Sequence, residues 1–419
     1  MTDNSSANER FVELSWNESE KSTVLSSFYW GYLITQVYAG QMAHIYGGKY
    51  FLAGAVGISG VLTIITPWSA IHGDVPVMCA NRMSQGMAQG FIYPAINVLL
   101  SKWVPKSEKS RLISFVFSGQ IFGALTMFPM AGHLAGSAGG WPAIFYVGGV
   151  LALVWALIWS LIGANSPREH ESISEAEREF IISSLNNTTS KKPLKIPWEM
   201  IIKSTPLWTL IIVHMAQNWG FWILQTNIPI YMNYVLNFNV EPTGFLTIMP
   251  YLVAWISIII FSWISDYINS HSFMSNTNQR KMWNSIAHWS GALVLISLCF
   301  NTSATGAMIL LTIALSLNGG IITGFMANHM DLAPNFAGIL MGITNSLANI
   351  TTILGPLIVG LIIRDNNNSD QWAVVFLISA GIFFTGNLIY ILFGSAEIQS
   401  WNDSQKTNET QTRNNDENP

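Results

Sequence analysis

Arg82 is the residue whose type and position most suggest chemistry, because it interrupts an otherwise apolar and small-residue segment, Val75 to Leu100. At 1.5 Å of rise per residue, a helix would place it roughly 10 Å from the start of that segment. A charge at such depth in a membrane costs several kcal/mol unless it faces protein or a water-filled cavity. No acidic residue lies between Asp74 and Glu108 to neutralise it. We interpret Arg82 as a contact for an anion in a cavity; the alternative is a structural clamp on backbone carbonyl groups.

The motifs of enzymes and nucleotide-driven pumps are absent from the sequence. It has no P-loop, dinucleotide-binding or nucleophile-elbow pattern, so neither catalysis nor ATP-driven transport within this chain is predicted. His44, His214 and His288 have no ligand spacing, and we expect packed or interfacial histidines rather than a metal site. The two cysteines, Cys79 and Cys299, lie in apolar runs and are predicted to be reduced. No cofactor, metal or nucleic-acid partner is expected.

Composition assigns the chain to the membrane proteins. Half of its 419 residues are hydrophobic and 10% are charged, whereas soluble domains carry about a quarter charged residues. Apolar runs close to the ~20 residues that a bilayer requires occur about eleven times. They lie near residues 23–46, 50–71, 75–100, 112–136, 141–163, 206–236, 243–264, 282–300, 304–327, 336–363 and 371–394. The predicted fold class is therefore all-α, a polytopic membrane protein with about eleven transmembrane helices.

The distribution of basic residues predicts the orientation. If the N-terminal tail is extracytoplasmic, 15 of the 19 lysines and arginines fall on the cytoplasmic side, in agreement with the positive-inside rule. The C-terminus is then cytoplasmic. Sequons at Asn4, Asn17, Asn301 and Asn367 fall outside and are predicted glycosylation sites.

A long polar stretch divides the spans into five and six. The predicted parts are an extracytoplasmic tail, an N-terminal bundle, a cytoplasmic linker, a C-terminal bundle and a cytoplasmic tail, at residues 1–22, 23–163, 164–205, 206–394 and 395–419. Within the linker, Ser174 and Glu177 have the spacing of a capping box, which predicts the start of a short amphipathic helix. Phe180, Ile181 and Leu185 give that helix one apolar face, and we expect it along the cytoplasmic surface.

Two loops suggest an internal repeat. A short polar turn around Asp266 follows the second span of the C-terminal half, and a comparable turn, Gly40 to Lys49, follows the first span of the N-terminal half. Both resemble the tight cytoplasmic loop between helices two and three of each half of a major facilitator. The correspondence implies that the first span here is the second helix of its repeat and that a first helix is absent.

Four motifs resemble the anion–cation symporter branch of the major facilitator superfamily, which contains sialin, the vesicular glutamate transporters and the type I sodium–phosphate cotransporters. They are Ser26 to Gln36, Arg82-x-x-x-Gly86-x-x-x-Gly90-x-x-x-Pro94-Ala95, Trp103-x-Pro105-x-x-Glu108-x-Ser110-Arg111, and Asn328-His329 to Asn345. The resemblance covers residues 15–401. It implies a major facilitator fold with two helical bundles, and ion-coupled transport of a small organic or inorganic anion by alternating access.

The resemblance also implies roles for individual side chains. The family arginine that matches Arg82 engages the substrate anion, and Tyr32, Gln217 and Trp222 match positions near the substrate. Asn328 is a further candidate for substrate contact. The alternatives are an interfacial aromatic for Tyr32, polar contacts between helices for Gln217 and Trp222, and a brace at a helix end for Asn328.

The residues that couple ions or gate transport in the family correspond less directly to residues of this sequence. The family glutamates that couple protons correspond to Gln85 and Gln89, and an amide does not titrate, so proton coupling through the usual site is disfavoured. The other predicted coupling or gating residues are Lys49, Asp266, His329 and Asp331. The expected driving ion is Na⁺ or H⁺.

The expected partners are a small anion and the lipid bilayer, with the chain monomeric in the plasma membrane or in a lysosomal or vesicular membrane. A second hypothesis is a transport-incompetent, truncated or regulatory member of the same family that binds an anion or a partner. The absent first helix and the two glutamines in place of glutamates motivate it. The sequence does not identify the anion.

Overall fold

The computed structural model describes residues 16–185, 194–236, 244–300 and 303–403, and these residues are helical with no strand. The first half contains α1 (Glu18–Tyr46), α2 (Gly48–His72), α3 (Asp74–Gln89), α4 (Ile92–Trp103), α5 (Lys109–Ala135) and α6 (Gly140–Ile162). Two short linker helices follow, α7 (Glu175–Leu185) and α8 (Trp198–Ile202). The second half contains α9 (Thr205–Trp222), α10 (Ile228–Tyr234), α11 (Gly244–Ser270), α12 (Asn276–Leu298), α13 (Ala304–Asn318), α14 (Ala327–Leu332), α15 (Ala337–Ile362) and α16 (Ser369–Phe393). The predicted all-α class is confirmed.

Eight helical segments among the described residues are long and apolar enough to cross a membrane. The other three predicted spans correspond to α1, α3 with α4, and α12. Of these, α1 has 29 residues and α12 has 23, so both are long enough to cross. Helix α12 begins with the polar run Asn276 to Lys281, and α3 is separated from α4 at Gly90. The three most polar spans thus include the helices that carry Tyr32 and Arg82.

The two halves repeat the same helix pairing. Helix α1 packs on α3 as α11 packs on α13, and α2 packs on α6 as α12 packs on α16. The halves meet along α1 with α15 and along α5 with α11, which are equivalent pairs in the repeat. Helix α9 packs on α15 and α16 and has no counterpart among the described residues of the first half. This arrangement has the internal correspondence that the two loops predicted.

Glycines allow α1 and α3 to approach closely. A Cβ atom on Gly86 would clash with the Phe28 carbonyl oxygen, and one on Gly90 would clash with Thr35. Small residues of this kind let neighbouring helices approach closely. The helix is interrupted just beyond it, since Pro94 has no N–H to donate to the carbonyl of Gly90. This contact fixes the depth at which Arg82 faces α1.

The linker lies at one end of the bundles, which we call the linker face: the end formed by the turn at Gly47, the residues between α4 and α5, and the linker itself. The linker helix predicted from the capping box is present as α7, and the Glu177 backbone N–H donates to Ser174 Oγ at 3.3 Å. Ile181 is buried, whereas Phe180 is 49% exposed, so the apolar face of α7 is only partly covered. The turns between α2 and α3, α5 and α6, and α15 and α16 lie at the opposite end.

Candidate functional site

A cavity of about 370 Å³ lies between the two halves. Its volume is within the ~300–1,000 Å³ typical of small-molecule sites. Aromatic rings and neutral polar groups line it, and no Lys, Arg, Asp or Glu is among the described residues that form its wall. The polar lining groups are Tyr29, Tyr32, Gln89, Tyr93, Gln120, His214, Gln217, Asn218, Gln225, Tyr251, Asn318, Asn345, Asn349 and Thr352.

Tyr32 lies in the wall where the halves meet. Its hydroxyl oxygen accepts a hydrogen bond from Asn345 Nδ2 at 3.1 Å, which connects α1 to α15. Its ring is stacked on Phe28 with 5.6 Å between ring centroids. Tyr32 is 8% exposed, so it is a cavity-wall residue rather than an aromatic at the membrane surface. The structure therefore brings one predicted contact residue to the cavity.

Arg82 lies behind the cavity wall. Its guanidinium carbon is 5.2 Å from the centroid of the Phe28 ring, and Phe28 itself lines the cavity. Its Nη1 donates to Gln85 Oε1 at 3.0 Å, and among the described residues Arg82 forms no ion pair. In this conformation the aromatic ring of Phe28, and not the guanidinium, forms the cavity wall, and the contact between Arg82 and an anion stays a prediction. A clamp on backbone carbonyl groups is disfavoured, since among the described residues Arg82 contacts the Gln85 side-chain amide and the Phe28 ring.

The two glutamines in place of family glutamates have different surroundings. Gln85 is 4% exposed, and its Nε2 donates to Thr63 and Thr66 of α2 at 3.2 and 3.4 Å while its Oε1 accepts from Arg82. Gln89, one turn further along α3, lines the cavity. Gln85 thus holds the Arg82 side chain in place, whereas Gln89 is available to a ligand.

Gln217 and Trp222 also line the cavity, on α9. The Gln217 side chain exchanges two hydrogen bonds with the Asn318 side chain, at 2.9 and 3.1 Å, so it connects α9 to α13 as well. Trp222 packs over Gly355 of α15. The polar contact between helices is therefore present for Gln217, and a contact of this cavity-lining side chain with substrate stays a prediction.

Asn328 and His329 do not line the cavity. Asn328 Nδ2 donates to the Tyr390 hydroxyl at 2.8 Å and to the Ser395 carbonyl oxygen at 2.9 Å, and the residue is 1% exposed. His329 Nε2 lies 2.8 Å from Thr344 Oγ1, a hydroxyl that also contacts the cavity-lining His214. Both hydrogens of the Asn328 amide bond within the second half, which agrees with the alternative of a brace at a helix end. Substrate contact by Asn328 stays an untested prediction.

Asp331 joins the halves at the linker face. Its Oδ1 is 2.5 Å from Lys109 Nζ of the first half, and its Oδ2 is 2.7 Å from Arg280 Nε of the second half. The side chains of Asp331 and Arg280 are 4% and 3% exposed. A buried carboxylate that is paired on both oxygens makes separation of the halves here costly.

Asp266 makes a second connection at the same face. Its carboxylate accepts from the backbone N–H groups of Ser110 and Arg111 at 2.9 and 3.0 Å, and from Arg111 Nε at 3.2 Å. These groups lie at the start of α5, where a negative charge also meets the positive end of the helix dipole. Among the described residues, both ion pairs between the halves lie at the linker face, so this conformation is closed there.

Lys49 and the sequons lie away from these connections. The Lys49 backbone contacts Asn165 and Trp159 of the first half, and its ammonium lies over Tyr50, so it does not join the halves. Asn17 caps α1 and Asn367 is in the turn before α16, both at the end opposite the linker face. Asn4 and Asn301 lie outside the described residues.

Three important groups were not singled out from the sequence. Phe28, which covers Arg82, reads as one aromatic among many in α1. Lys109 and Arg280 were noticeable only as basic residues near the ends of spans, and the positive-inside rule already accounts for basic residues there. The sequence did contain one further indication for Lys109, because this residue lies inside the family motif from Trp103 to Arg111.

Comparisons with known proteins agree with this fold. The model of the Major Facilitator Superfamily matches residues 8–356. The chain is 38% identical over 399 residues to a Drosophila melanogaster protein named "Putative inorganic phosphate cotransporter", covering 94% of this chain and 75% of that one. It is 34% identical over 387 residues to sialin of Homo sapiens, covering 92% and 77% of the two chains.

A solved structure has the same architecture. The proton:xylose symporter XylE superposes with a TM-score of 0.70 at 13% sequence identity, over 92% of this chain and 90% of that one. At this identity the likeness concerns the fold alone.

Proposed function

Since this chain belongs to the Major Facilitator Superfamily, in the branch of the inorganic phosphate cotransporters, sialin and the vesicular glutamate transporters, we propose that it carries a small anion through the cavity between its halves by alternating access. The chain is a multi-pass membrane transporter with the major facilitator fold. The proposed orientation puts the linker face in the cytoplasm, as the bias of basic residues favours. We propose a monomer in the plasma membrane or in a lysosomal or vesicular membrane.

The observation that carries the proposal is the position of Arg82 beside the cavity. Among the described residues, Arg82 donates one hydrogen bond, to Gln85, although a guanidinium has five N–H donors. None of the described residues that line the cavity is acidic, so the positive charge behind Phe28 attracts an anion that enters. Direct contact between the anion and Arg82 then requires movement of the Phe28 ring.

Alternating access is supported by the connections at the linker face. The Lys109–Asp331 and Arg111–Asp266 pairs join the halves below the cavity. Opening towards the linker face requires both pairs to separate while the α1–α15 and α5–α11 contacts rearrange. The proposed driving ion is Na⁺ or H⁺.

The test is uptake by the purified full chain in lipid vesicles, under an imposed Na⁺, H⁺ or voltage gradient. Radiolabelled phosphate, glutamate and sialic acid serve as probes. Saturable uptake that depends on one of these gradients is expected. Binding of the probes with no flux under any gradient would contradict the proposal.

Arg82→Ala in the same vesicles is expected to lower uptake on the order of a hundredfold, since a charge-assisted hydrogen bond in a secluded site is lost. Arg82→Lys keeps the charge but not the planar fork, and an intermediate rate is expected. Arg364→Ala is the matched control, because Arg364 is exposed in the turn after α15. Unchanged uptake in Arg82→Ala would refute the assignment of the anion contact.

A further inference from the structure

A second cavity, of about 340 Å³, lies at the linker face and is separate from the central one. Both halves contribute to it, through the end of α4 and the start of α5 on one side and through α12 and α14 on the other. Leu185 of the linker helix and Ile398 of the segment after α16 complete its wall. We call it the seam cavity.

The seam cavity has an excess of positive charge. Its lining contains three cationic side chains, Lys106, Lys109 and Arg280, and one carboxylate, Asp331. Both oxygens of Asp331 are already engaged, one by Lys109 and one by Arg280. Among the described residues, the Lys106 ammonium forms no ion pair, and Asp331 has no oxygen left for it. Two positive charges are therefore left without a counter-charge in the wall.

Part of this excess is buried, because the Lys109 and Arg280 side chains are 18% and 3% exposed, whereas Lys106 is exposed. The Arg280 side chain is 3% exposed, and its Nη1 donates to the Thr323 carbonyl oxygen at 2.7 Å, which fixes the guanidinium in the wall. Charge that is withdrawn from water in this way is poorly screened. The N-terminus of α12, a helix of 23 residues, also reaches the cavity at Asn276 and adds the positive end of its dipole.

We propose that the seam cavity binds a phosphate-bearing anion and that this ligand holds the linker face closed. A phosphomonoester carries between about one and a half and two negative charges at neutral pH, which matches the excess in the wall. Lysine ammonium groups with a fixed guanidinium are the side chains that bind phosphate in proteins. The apolar wall from Leu185 and Ile398 accommodates the organic part of such a molecule. A soluble phosphomonoester and a phosphoinositide headgroup share this chemistry.

The site exists only in the closed conformation. Lys106 and Lys109 belong to the first half, whereas Arg280 and Asp331 belong to the second, so opening of the linker face separates the four groups. A ligand that binds one conformation shifts the population towards it by its difference in affinity. The anion therefore acts as a brake on the cycle, and it does so without entering the central cavity.

The experiment measures conformation and binding, not flux, so its result is independent of whether the chain transports the probes above. The full chain is purified with Cys79→Ser and Cys299→Ser, and spin labels are attached through Arg168→Cys and Asn278→Cys, exposed positions at the linker face of either half. Label distances and thermal unfolding are recorded in phosphatidylcholine nanodiscs with inorganic phosphate, with phenyl phosphate, or with a bisphosphorylated phosphatidylinositol in the bilayer. A shift towards the shorter distance and a higher unfolding temperature are expected with at least one of these ligands.

Variants assign the effect to the seam cavity. Lys106→Gln is expected to weaken the response on the order of tenfold in ligand concentration, since one charged contact is lost. Lys203→Gln is the matched control, because Lys203 is an exposed lysine paired with Glu199 outside the cavity. A response to the soluble phosphates identifies a soluble ligand, and a response to the lipid alone identifies a headgroup. The proposal is overturned by no response in the parent chain, by equal responses in Lys106→Gln and the parent, or by loss of the response in Arg82→Ala, which would place the ligand in the central cavity.

Discussion

The two halves of this transporter share a pairing of helices but differ in how tightly they are packed. Of the most apolar 18 residues of α16, in the second half, 44% are buried. In the equivalent helix of the first half, α6, only 11% of the corresponding stretch is buried. Among the described residues, the six bulkiest fully buried side chains all belong to the second half or its linker-face turn: Trp372, Tyr390, Phe325, Phe336, Phe376 and Phe383. Helix α9 fills the second half between α15 and α16, and no described helix does so between α5 and α6.

The difference in packing suggests that the second half is the more rigid scaffold and that the first half recognises the anion. Side-chain hydrogen bonds brace the second half internally, as between Gln217 and Asn318 and between Asn284 and Asn387. The first half is joined by close glycine contacts between α1 and α3 as well as by the hydrogen bonds of Gln85 to α2, and it carries the single cation beside the cavity among the described residues. We infer that the second half resists deformation, while the first half provides the charge that an anion meets.

Removing the carboxylate between the halves should have the largest effect. Asp331→Asn leaves the Lys109 and Arg280 charges without a buried partner, and loss of one member of a buried pair costs about 4 kcal/mol. The closed linker face should be lost, seen as longer distances between spin labels at positions 168 and 278. Glu175→Gln, which breaks the exposed pair with Arg178, is the control and should change neither distance nor stability. Retention of the closed distance in Asp331→Asn would show that Asp266 alone holds the face shut.

A core truncation tests the packing difference directly. Phe383→Ala removes a fully buried ring that contacts His288 and lies against Gly220, and should lower the free energy of unfolding by about 3 kcal/mol. Phe122→Ala in the first half should cost much less, because Phe122 is 50% exposed. Thermal unfolding in detergent compares the two. Equal losses would mean that the halves are equally packed and would remove the basis of the comparison.

A glycine substitution tests the contact that holds the first half together. Gly86→Ala places a methyl group against the Phe28 backbone, which cannot rotate away, and should cost about 2 kcal/mol. Gly119→Ala is the matched control, because no atom lies within 4 Å of a Cβ atom there. Yield of folded protein and unfolding temperature are the measurements. A stable Gly86→Ala variant would indicate that α1 and α3 are not rigidly joined.

The smallest effect is expected from the internal braces. A double-mutant cycle with Gln217→Leu and Asn318→Leu should give a coupling near 0.6 kcal/mol, the average for polar pairs within membranes. The same cycle with Gln85→Leu and Thr63→Val in the first half should give less, because that contact is a single hydrogen bond at 3.2 Å. A larger coupling in the first half would reverse the assignment of scaffold and recognition.

Local sequence was sufficient for those features that local chemistry controls. The apolar runs, the capping box at Ser174 and the glycine face at Gly86 all have a physical cause within a few neighbouring residues. The position of Asn328 was not accessible in this way. Its partner Tyr390 lies 62 residues further along the chain, and an amide near a helix end has the same local pattern whether it braces or binds.

The sequence by itself determined that this chain crosses a membrane, divides into two related halves and buries one arginine among apolar residues. Only the tertiary structure decided what that arginine contacts. Phe28 covers Arg82, and Lys109, Arg280 and Asp331 converge at the linker face, because the packing of helices brings together residues that are far apart in the chain, such as Lys109 and Asp331 at 222 positions. A sequence motif records which side chains a helix presents, whereas the partner of a charge depends on which other helix faces it.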